Sequence, residues 1–348
     1  MRLVNRNIRG LFDVAGAYIT RHLFSSTSTF ASTVSEQARI MTSTTDIGST
    51  KTSKVWLVTG CSSGLGRCLV PAILARGDKI IATARQISAL KDLKKDDNLR
   101  VLSLDVTADQ TELAKKVQEA QSFFGRIDVL VNNAGCVISG VWEELSAEDM
   151  KKEFDTNFFG AMNMTRAVLP FMRSQKSGVI MFMGSIAAWH SAASGGLYAS
   201  SKCALEGAIE SLSREISDLG IRVHMFVLGR FRTGILGEQS EIAQLNTQQG
   251  IADYASVKKD FAHHLMISHD HQPGDPFRAA EKMVDIARVE NLTATQALNL
   301  PLRIPLGAEA VDVMRRKCLE TLAVLEGWDR FSAEADFEDP ERLPAFFS

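Results

Sequence analysis

Val55-Trp56-Leu57-Val58-Thr59-Gly60-Cys61-Ser62-Ser63-Gly64-Leu65-Gly66 is a short apolar run that breaks into glycines spaced G-x-x-x-G-x-G. An apolar-periodic stretch carrying Leu69, Ile73 and Leu74 follows it. Strand, glycine turn and helix in that order present backbone N–H groups at a helix N-terminus, where a phosphate binds. The glycines let the chain turn sharply and approach a pyrophosphate closely. Pro71 stands inside the predicted helix and is expected to kink or distort it, because it removes one hydrogen bond.

The next apolar run, Lys79-Ile80-Ile81-Ala82-Thr83, predicts a second strand. A dinucleotide site that takes NAD places an acidic residue at the end of such a strand, on the ribose 2′-hydroxyl. Ala84 and Arg85 stand there instead. No carboxylate repels a 2′-phosphate at that point, and a guanidinium is placed to bind one. The expected cofactor is therefore NADP.

Strands are then predicted at Val101-Leu102-Ser103-Leu104, ahead of Asp105, and at Ile127-Asp128-Val129-Leu130-Val131, with a helix from about Ala108 to Phe124 between them. The second of these strands ends in Asn132-Asn133-Ala134-Gly135. Two amides at a strand end can tie neighbouring strands together and line a crevice. A long helical region follows, with Asn157 inside it. A polar Asn between apolar neighbours in a helix is unfavourable unless its amide has a task. Further strands are expected at Val179–Met183, at Ile221–Val227 and between the prolines of Leu300-Pro301-Leu302-Arg303-Ile304-Pro305-Leu306-Gly307, the last at a sheet edge. Helices are expected at about Tyr198–Leu219, at Pro276–Val289 with Asp275 as its cap, and at Ala308–Leu325 with Gly327 as its stop. This alternation predicts an α/β fold: a doubly wound, Rossmann-type parallel sheet of about seven strands, helices on both faces, in a single domain.

The chemistry-bearing stretch runs from Gly184-Ser185 to Tyr198-Ala199-Ser200-Ser201-Lys202. Tyr198 and Lys202 are four residues apart at a helix start, so both fall on one face. A free Tyr has a pKa near ~10. A neighbouring ammonium favours the phenolate and is expected to lower that value. Such a pair suits proton transfer at a carbonyl oxygen. Ser185 closes the preceding strand with a hydroxyl available to the same oxygen.

Taken together these motifs resemble the short-chain dehydrogenase/reductase family, from about Lys54 to Thr233. The resemblance implies that Tyr198 is the general acid/base, that Lys202 supports it and holds the nicotinamide ribose, that Ser185 orients the substrate oxygen, and that Asn157 holds a water in the proton relay. It implies that Gly60, Ser62, Ser63, Gly64, Leu65 and Gly66 line the cofactor, with Ser62 and Arg85 toward the 2′-phosphate. Asp105 would meet the adenine, Asn133 the adenosine-side ribose, and Phe231 and Thr233 the nicotinamide carboxamide. Leu228-Gly229 replaces the family's usual Pro-Gly after the sixth strand. The Gly-Cys-Ser-Ser-Gly turn with Arg85 looks like the NADP-preferring subgroup that includes 17β-hydroxysteroid dehydrogenase type 1. The Pro-Leu-Arg segment near residue 302 is similar to that of a group of microbial and fungal oxidoreductases. The implied assembly is a homodimer or homotetramer.

The 348 residues carry a net charge of −2 and leave no basic footprint for nucleic acid. No apolar run reaches the ~18 residues of a membrane span. The five cysteines are scattered and odd in number, without zinc spacing, which fits a reduced compartment. His269-Asp270-His271 reads as a polar turn, and no metal is expected. Residues 1–50 are Arg- and Ser-rich with few acids: either an organelle transit peptide, which implies a mitochondrial protein, or, in a cytoplasmic one, a disordered extension or an upstream start whose true initiator is Met41. Residues 51–348 form the expected domain, with 234–273 as an apolar substrate lid (Leu236, Ile242, Leu245, Ile251 and Phe261) and an acidic tail ending in Phe346 and Phe347. The stripe Val311, Met314, Cys318, Leu322 and Leu325 is expected to be core or subunit contact. The expected activity is NADP(H)-dependent transfer of hydride between nicotinamide and a ketone, aldehyde or alcohol. The alternatives are an NADP-binding regulator without turnover, and an NAD enzyme working in oxidation.

Overall fold

The computed structural model describes residues 52–236 and 250–337. They fall into two units, Ser53–Met314 and a second to which Thr52 and residues 315–337 belong. The expected targeting segment, Met41, the lid residues Ile242 and Leu245, and Phe346 and Phe347 lie outside the described residues.

The first unit is one α/β domain. Its strands are β1 (Val55–Val58), β2 (Lys79–Ala84), β3 (Leu99–Ser103), β4 (Val129–Asn132), β5 (Gly178–Ser185), β6 (Ile221–Leu228) and β7 (Arg303–Leu306). All pair in parallel, in the order β3-β2-β1-β4-β5-β6-β7. The order reverses between β1 and β4, the topological switch point at which such sheets open a crevice. β7 lies at an edge, as its prolines predict, with Pro305 opposite Val227.

The helices are α1 (Gly64–Leu74), α2 (Gln110–Phe124), α3 (Ala147–Phe154), α4 (Ala161–Gln175), α5 (Gly196–Glu215), α6 (Ala255–Ser268), α7 (Pro276–Arg288), α8 (Ala294–Leu298) and α9 (Ala308–Ala333). Two apolar layers sandwich the sheet. One joins Leu57, Leu130, Ile180 and Met225 to Leu113, Met164, Val168 and Leu205 from α2, α4 and α5. The other joins Trp56, Val58, Ile80 and Val131 to Leu69, Ile73, Met283 and Val284 from α1 and α7. The continuous apolar strands of the sequence are thus strands covered on both faces.

Several boundaries differ from the expectations. α1 passes through Pro71 unbroken; Pro71 is exposed, so its ring faces away from the packed side. α9 continues beyond Gly327 to Ala333, because one exposed glycine weakens a helix by only about 1 kcal/mol and does not end it. Within the second unit the α9 side chains Leu322, Val324, Leu325, Trp328 and Phe331 are exposed, so no core forms there among the described residues. α7 begins as its sequence implies: Asp275 accepts hydrogen bonds from Phe277 N and Arg278 N, ahead of Pro276 at the first helical position. α6 was not anticipated, because its apolar residues are too evenly spread for one face to stand out.

At the opposite end of the sheet from the strands' carboxyl ends, Asp78 is fully buried. Its carboxylate accepts from Lys54 N at 2.9 Å, from the indole N–H of Trp56 at 2.9 Å and from Arg288. Breaking a buried pair leaves its partner without full compensation. Asp78→Ala is expected to lower unfolding free energy by about 3 kcal/mol, read as a reduced urea midpoint with an unchanged slope.

Candidate active site

The glycine turn after β1 is built by its neighbours. Gly60 and Gly64 have φ of +71° and +57°, a region that disfavours side chains. The Asn133 amide donates to the carbonyls of Thr59 at 2.8 Å and Gly60 at 3.0 Å, and Thr59 Oγ1 accepts from Asn133 N at 2.9 Å. A Cβ on Gly66 would stand 2.3 Å from the Gly60 carbonyl oxygen and 2.4 Å from the Asn133 amide nitrogen. Asn133 therefore clamps the turn, and its side-chain N–H groups serve the protein rather than a ribose. Asn132 turns the other way, to Thr165 Oγ1 at 3.0 Å.

The turn leads into the first turn of α1, which contains no acid, and Ser63 at its N-cap makes no side-chain cap. A helix N-terminus without a local anion or cap fits a diphosphate. Ser62, Ser63 and Leu65 lie in this turn. Thr233 closes over it, with its methyl 3.8 Å from where a Gly64 Cβ would be. Arg85 is exposed where β2 ends, and Asp105 lies just past the end of the neighbouring β3. The Asp105 carboxylate accepts from Thr107 N and Oγ1. The ring of Phe231 packs toward Gly274 and Gly307, and its backbone bridges to Gly274. Any carboxamide contact would thus use the backbone of Phe231.

Ser185, Tyr198 and Lys202 come together. Ser185 ends β5; its Oγ accepts from Ala187 N at 3.1 Å, and its hydroxyl lies near enough to the Tyr198 phenol to lower its pKa. Lys202, one turn along α5, is buried and donates to the Met183 carbonyl at 3.0 Å, with its nitrogen 5.6 Å from the centroid of the Tyr198 ring. The expected lowering of the Tyr198 pKa is not what this arrangement gives. Burial pushes the phenol up to about 12, against the opposing effect of the Ser185 hydroxyl. Burial likewise brings Lys202 down to about 8. The ammonium is turned to a carbonyl rather than the phenol, so it does not offset desolvation of the phenolate.

Asn157 has the task its sequence position implied. It lies in a π-helical segment, Asp155–Gly160, between α3 and α4. Such bulges free backbone and side-chain groups at functional sites. Its Oδ1 accepts from Cys136 N at 2.9 Å. Its Nδ2 donates to Cys136 O at 3.0 Å, Glu153 Oε1 at 2.5 Å and Ser201 Oγ at 3.1 Å.

The sequence reasoning missed Glu153, Cys136 and Ser201, and the residues that frame the mouth. Glu153 lies four residues before Asn157, inside a run of charged residues that gives no sign of its burial. Trp142 is exposed and leans on the start of α5, its indole nitrogen 2.6 Å from where a Gly196 Cβ would be. Behind it, buried Lys258 of α6 pairs with Glu144 at 2.8 Å, and Glu144 also accepts from Ile251 N at 2.7 Å. Tyr254 donates to Glu143 at 2.8 Å. These bonds fasten the 251–258 segment to the 142–144 turn. His269 and His271 form a turn, with His271 Nδ1 2.8 Å from the His269 carbonyl. No cluster of metal-ligating side chains and no helix long and apolar enough to cross a membrane occurs among the described residues. None of the five cysteines forms a disulfide.

Residues 54–243 match the sequence model of the family described as short chain dehydrogenase. Oxidoreductase BOA17 of Botryotinia fuckeliana is 30% identical over 283 residues, covering 80% of this chain and 98% of that protein. A 3-ketodihydrosphingosine reductase of Bacteroides thetaiotaomicron is 35% identical over 202 residues, covering 58% of this chain and 72% of that one. The crystal structure of a short-chain dehydrogenase from Streptomyces avermitilis superposes with a TM-score of 0.71 at 35% identity, covering 82% of this chain and all of that one. Gly66→Ala forces the Asn133 clamp from the Gly60 carbonyl. It is expected to weaken nicotinamide dinucleotide binding roughly tenfold or more, about 1.4 kcal/mol, measured by calorimetric titration on folded protein.

Proposed function

The chain belongs to the short-chain dehydrogenase family, and we propose that within it this protein is an NADP(H)-dependent carbonyl reductase acting on a ketone or aldehyde with an apolar body. The observation that carries the reading is the meeting of Ser185, at the carboxyl end of β5, with Tyr198 and with buried Lys202 one turn along α5.

The glycine turn from Gly60 to Gly66 and the start of α1 hold the diphosphate of the dinucleotide, and Arg85 with Ser62 takes the 2′-phosphate. When bound, the nicotinamide supplies or accepts the hydride. The protein's own part concerns the oxygen. Ser185 Oγ and the Tyr198 hydroxyl converge, so a carbonyl oxygen between them receives two hydrogen bonds. Tyr198 then gives its phenolic proton to that oxygen as negative charge develops. With its pKa pushed up to about 12, Tyr198 stays protonated across the neutral range and stands ready as a donor. That favours reduction as the working direction. Lys202, anchored to the Met183 carbonyl, is the residue that would take the nicotinamide ribose.

Support for an apolar substrate comes from Trp142, an exposed indole that leans on the start of α5, the helix that carries Tyr198. The relative from Bacteroides thetaiotaomicron is named a 3-ketodihydrosphingosine reductase. Assembly as a dimer or tetramer is part of the same proposal.

Purified protein is expected to bind NADPH more tightly than NADH and to consume it with apolar carbonyls. Tyr198→Phe should cut kcat by about 10²-fold or more while NADPH still binds; retention of most turnover would remove the mechanism. Arg85→Asp should reverse the cofactor preference, measured as kcat/KM for NADPH against NADH.

A further inference from the structure

Glu153 is fully buried in the last turn of α3, although nothing in the reaction described above uses it. Its surroundings define its state. Oε2 accepts from Ile138 N at 2.7 Å and faces the Cys136 thiol at 3.9 Å; Oε1 accepts from the Asn157 amide at 2.5 Å. Ile138 N and the Asn157 amide are donors, one on each oxygen, an arrangement that favours the carboxylate, which accepts at both.

A buried carboxylate persists only where hydrogen bonds and opposite charge compensate it. The titratable groups gathered here are Cys136 on the loop after β4, Tyr198 and Lys202 on α5, and Glu153 itself; Lys202 is the cation among them. A Cβ on Gly135 would stand 3.1 Å from Asn157 Oδ1 and 3.9 Å from Lys202 Nζ, so the amide that Glu153 holds lies beside the ammonium, and the carboxylate acts on its charge. The same carboxylate fixes the scaffold. Asn157 holds both Cys136 backbone groups and reaches Ser201 Oγ, which in turn donates to the Tyr198 carbonyl at 2.8 Å. Glu153 thus grips, through Asn157, both the loop lining the crevice and the turn of α5 that carries Tyr198 and Lys202.

We propose that Glu153 is a positioning residue of the reaction: its buried carboxylate sets Asn157 and the 136–138 loop and is the counter-charge of the Lys202 ammonium. The inference rests on the reading of Tyr198 and Lys202 as the proton-handling pair. The sign of the effect follows from the charge. An anion beside Lys202 favours its protonated form and disfavours the Tyr198 phenolate, so it raises both pKa values. Without it both fall.

The test compares wild type with Glu153→Gln in two readouts. The first is the Nζ titration of Lys202 in [ε-15N]lysine-labelled protein, assigned by its loss in Lys202→Arg. The second is the basic limb of kcat for NADPH-dependent carbonyl reduction. Both are expected to move to lower pH by about one unit in Glu153→Gln, with Glu153→Asp nearer to wild type. A packing role alone would lower kcat at every pH and move neither; an unmoved Lys202 titration in folded Glu153→Gln overturns the proposal. The titration needs no substrate, so failure of the reductase reading would appear separately, as absent turnover in wild type. Should Glu153→Gln not fold, infrared spectra of [13C]glutamate-labelled wild type decide: a carboxylate signature for the buried group is expected, and a protonated carboxyl at neutral pH overturns the inference.

Discussion

A parallel sheet cannot be closed by hairpins. Each strand must return across one face before the next begins, so every carboxyl end arrives at the same edge. The whole site inherits this constraint. The glycine turn follows β1, Arg85 follows β2, Asp105 follows β3, Asn132 and Asn133 close β4, Ser185 closes β5, and the Phe231–Thr233 segment follows β6. Residues spread over more than 170 positions of chain meet because their strands are in register, not because they attract one another. The switch of direction between β1 and β4 then opens the crevice between the two halves of that edge.

On this edge polar groups are arranged in two layers. The outer layer (Ser185, Tyr198 and the glycine turn) presents groups to ligands. The inner layer (Asn133 on the turn, Asn157 and Glu153 on the loop and α5) has its hydrogen bonds satisfied within the protein. The division explains why Asn133 and Asn157 differ in kind from the residues in front of them. They shape the backbone that does the binding. It also explains the two opposite shifts at the centre. Burial that holds the phenol protonated also weakens the hold of Lys202 on its proton, so the site needs negative charge nearby to keep the ammonium.

Most of this was legible in the sequence because strands buried on both faces read as apolar runs and their ends carry the motifs. β1 with its turn, Asn132-Asn133, and the Ser185–Tyr198–Lys202 set each stood where the reading put them. What was illegible depended on third dimensions that spacing does not record. The rise in the Tyr198 pKa follows from burial, which a neighbouring Lys in the sequence does not reveal. Glu153 looked like one charge in the acidic and basic run Glu148–Asp155. Only its position beneath the 136–138 loop separates it from the exposed charges around it. The Glu144–Lys258 pair joins residues 114 positions apart, with no local signal at either end. α9 ran past Gly327 because a glycine stop requires a chain reversal, and none is imposed there.

The π-helical turn at Asp155–Gly160 has a bearing on how the gene can change length. An α-helix advances about 100° per residue. A wide turn of this kind holds one residue more than an α-helical turn. Deleting one residue here would relax it toward ordinary helix and leave Met164, Thr165, Val168 and Met172, all buried on one face of α4, still turned to the sheet. The same deletion inside α4 would turn that face by the full angle, because a regular helix has no slack to give. Loops at the carboxyl edge can lengthen or shorten with little consequence for the core; within this helical stretch, only the wide turn can lose a residue at comparable cost.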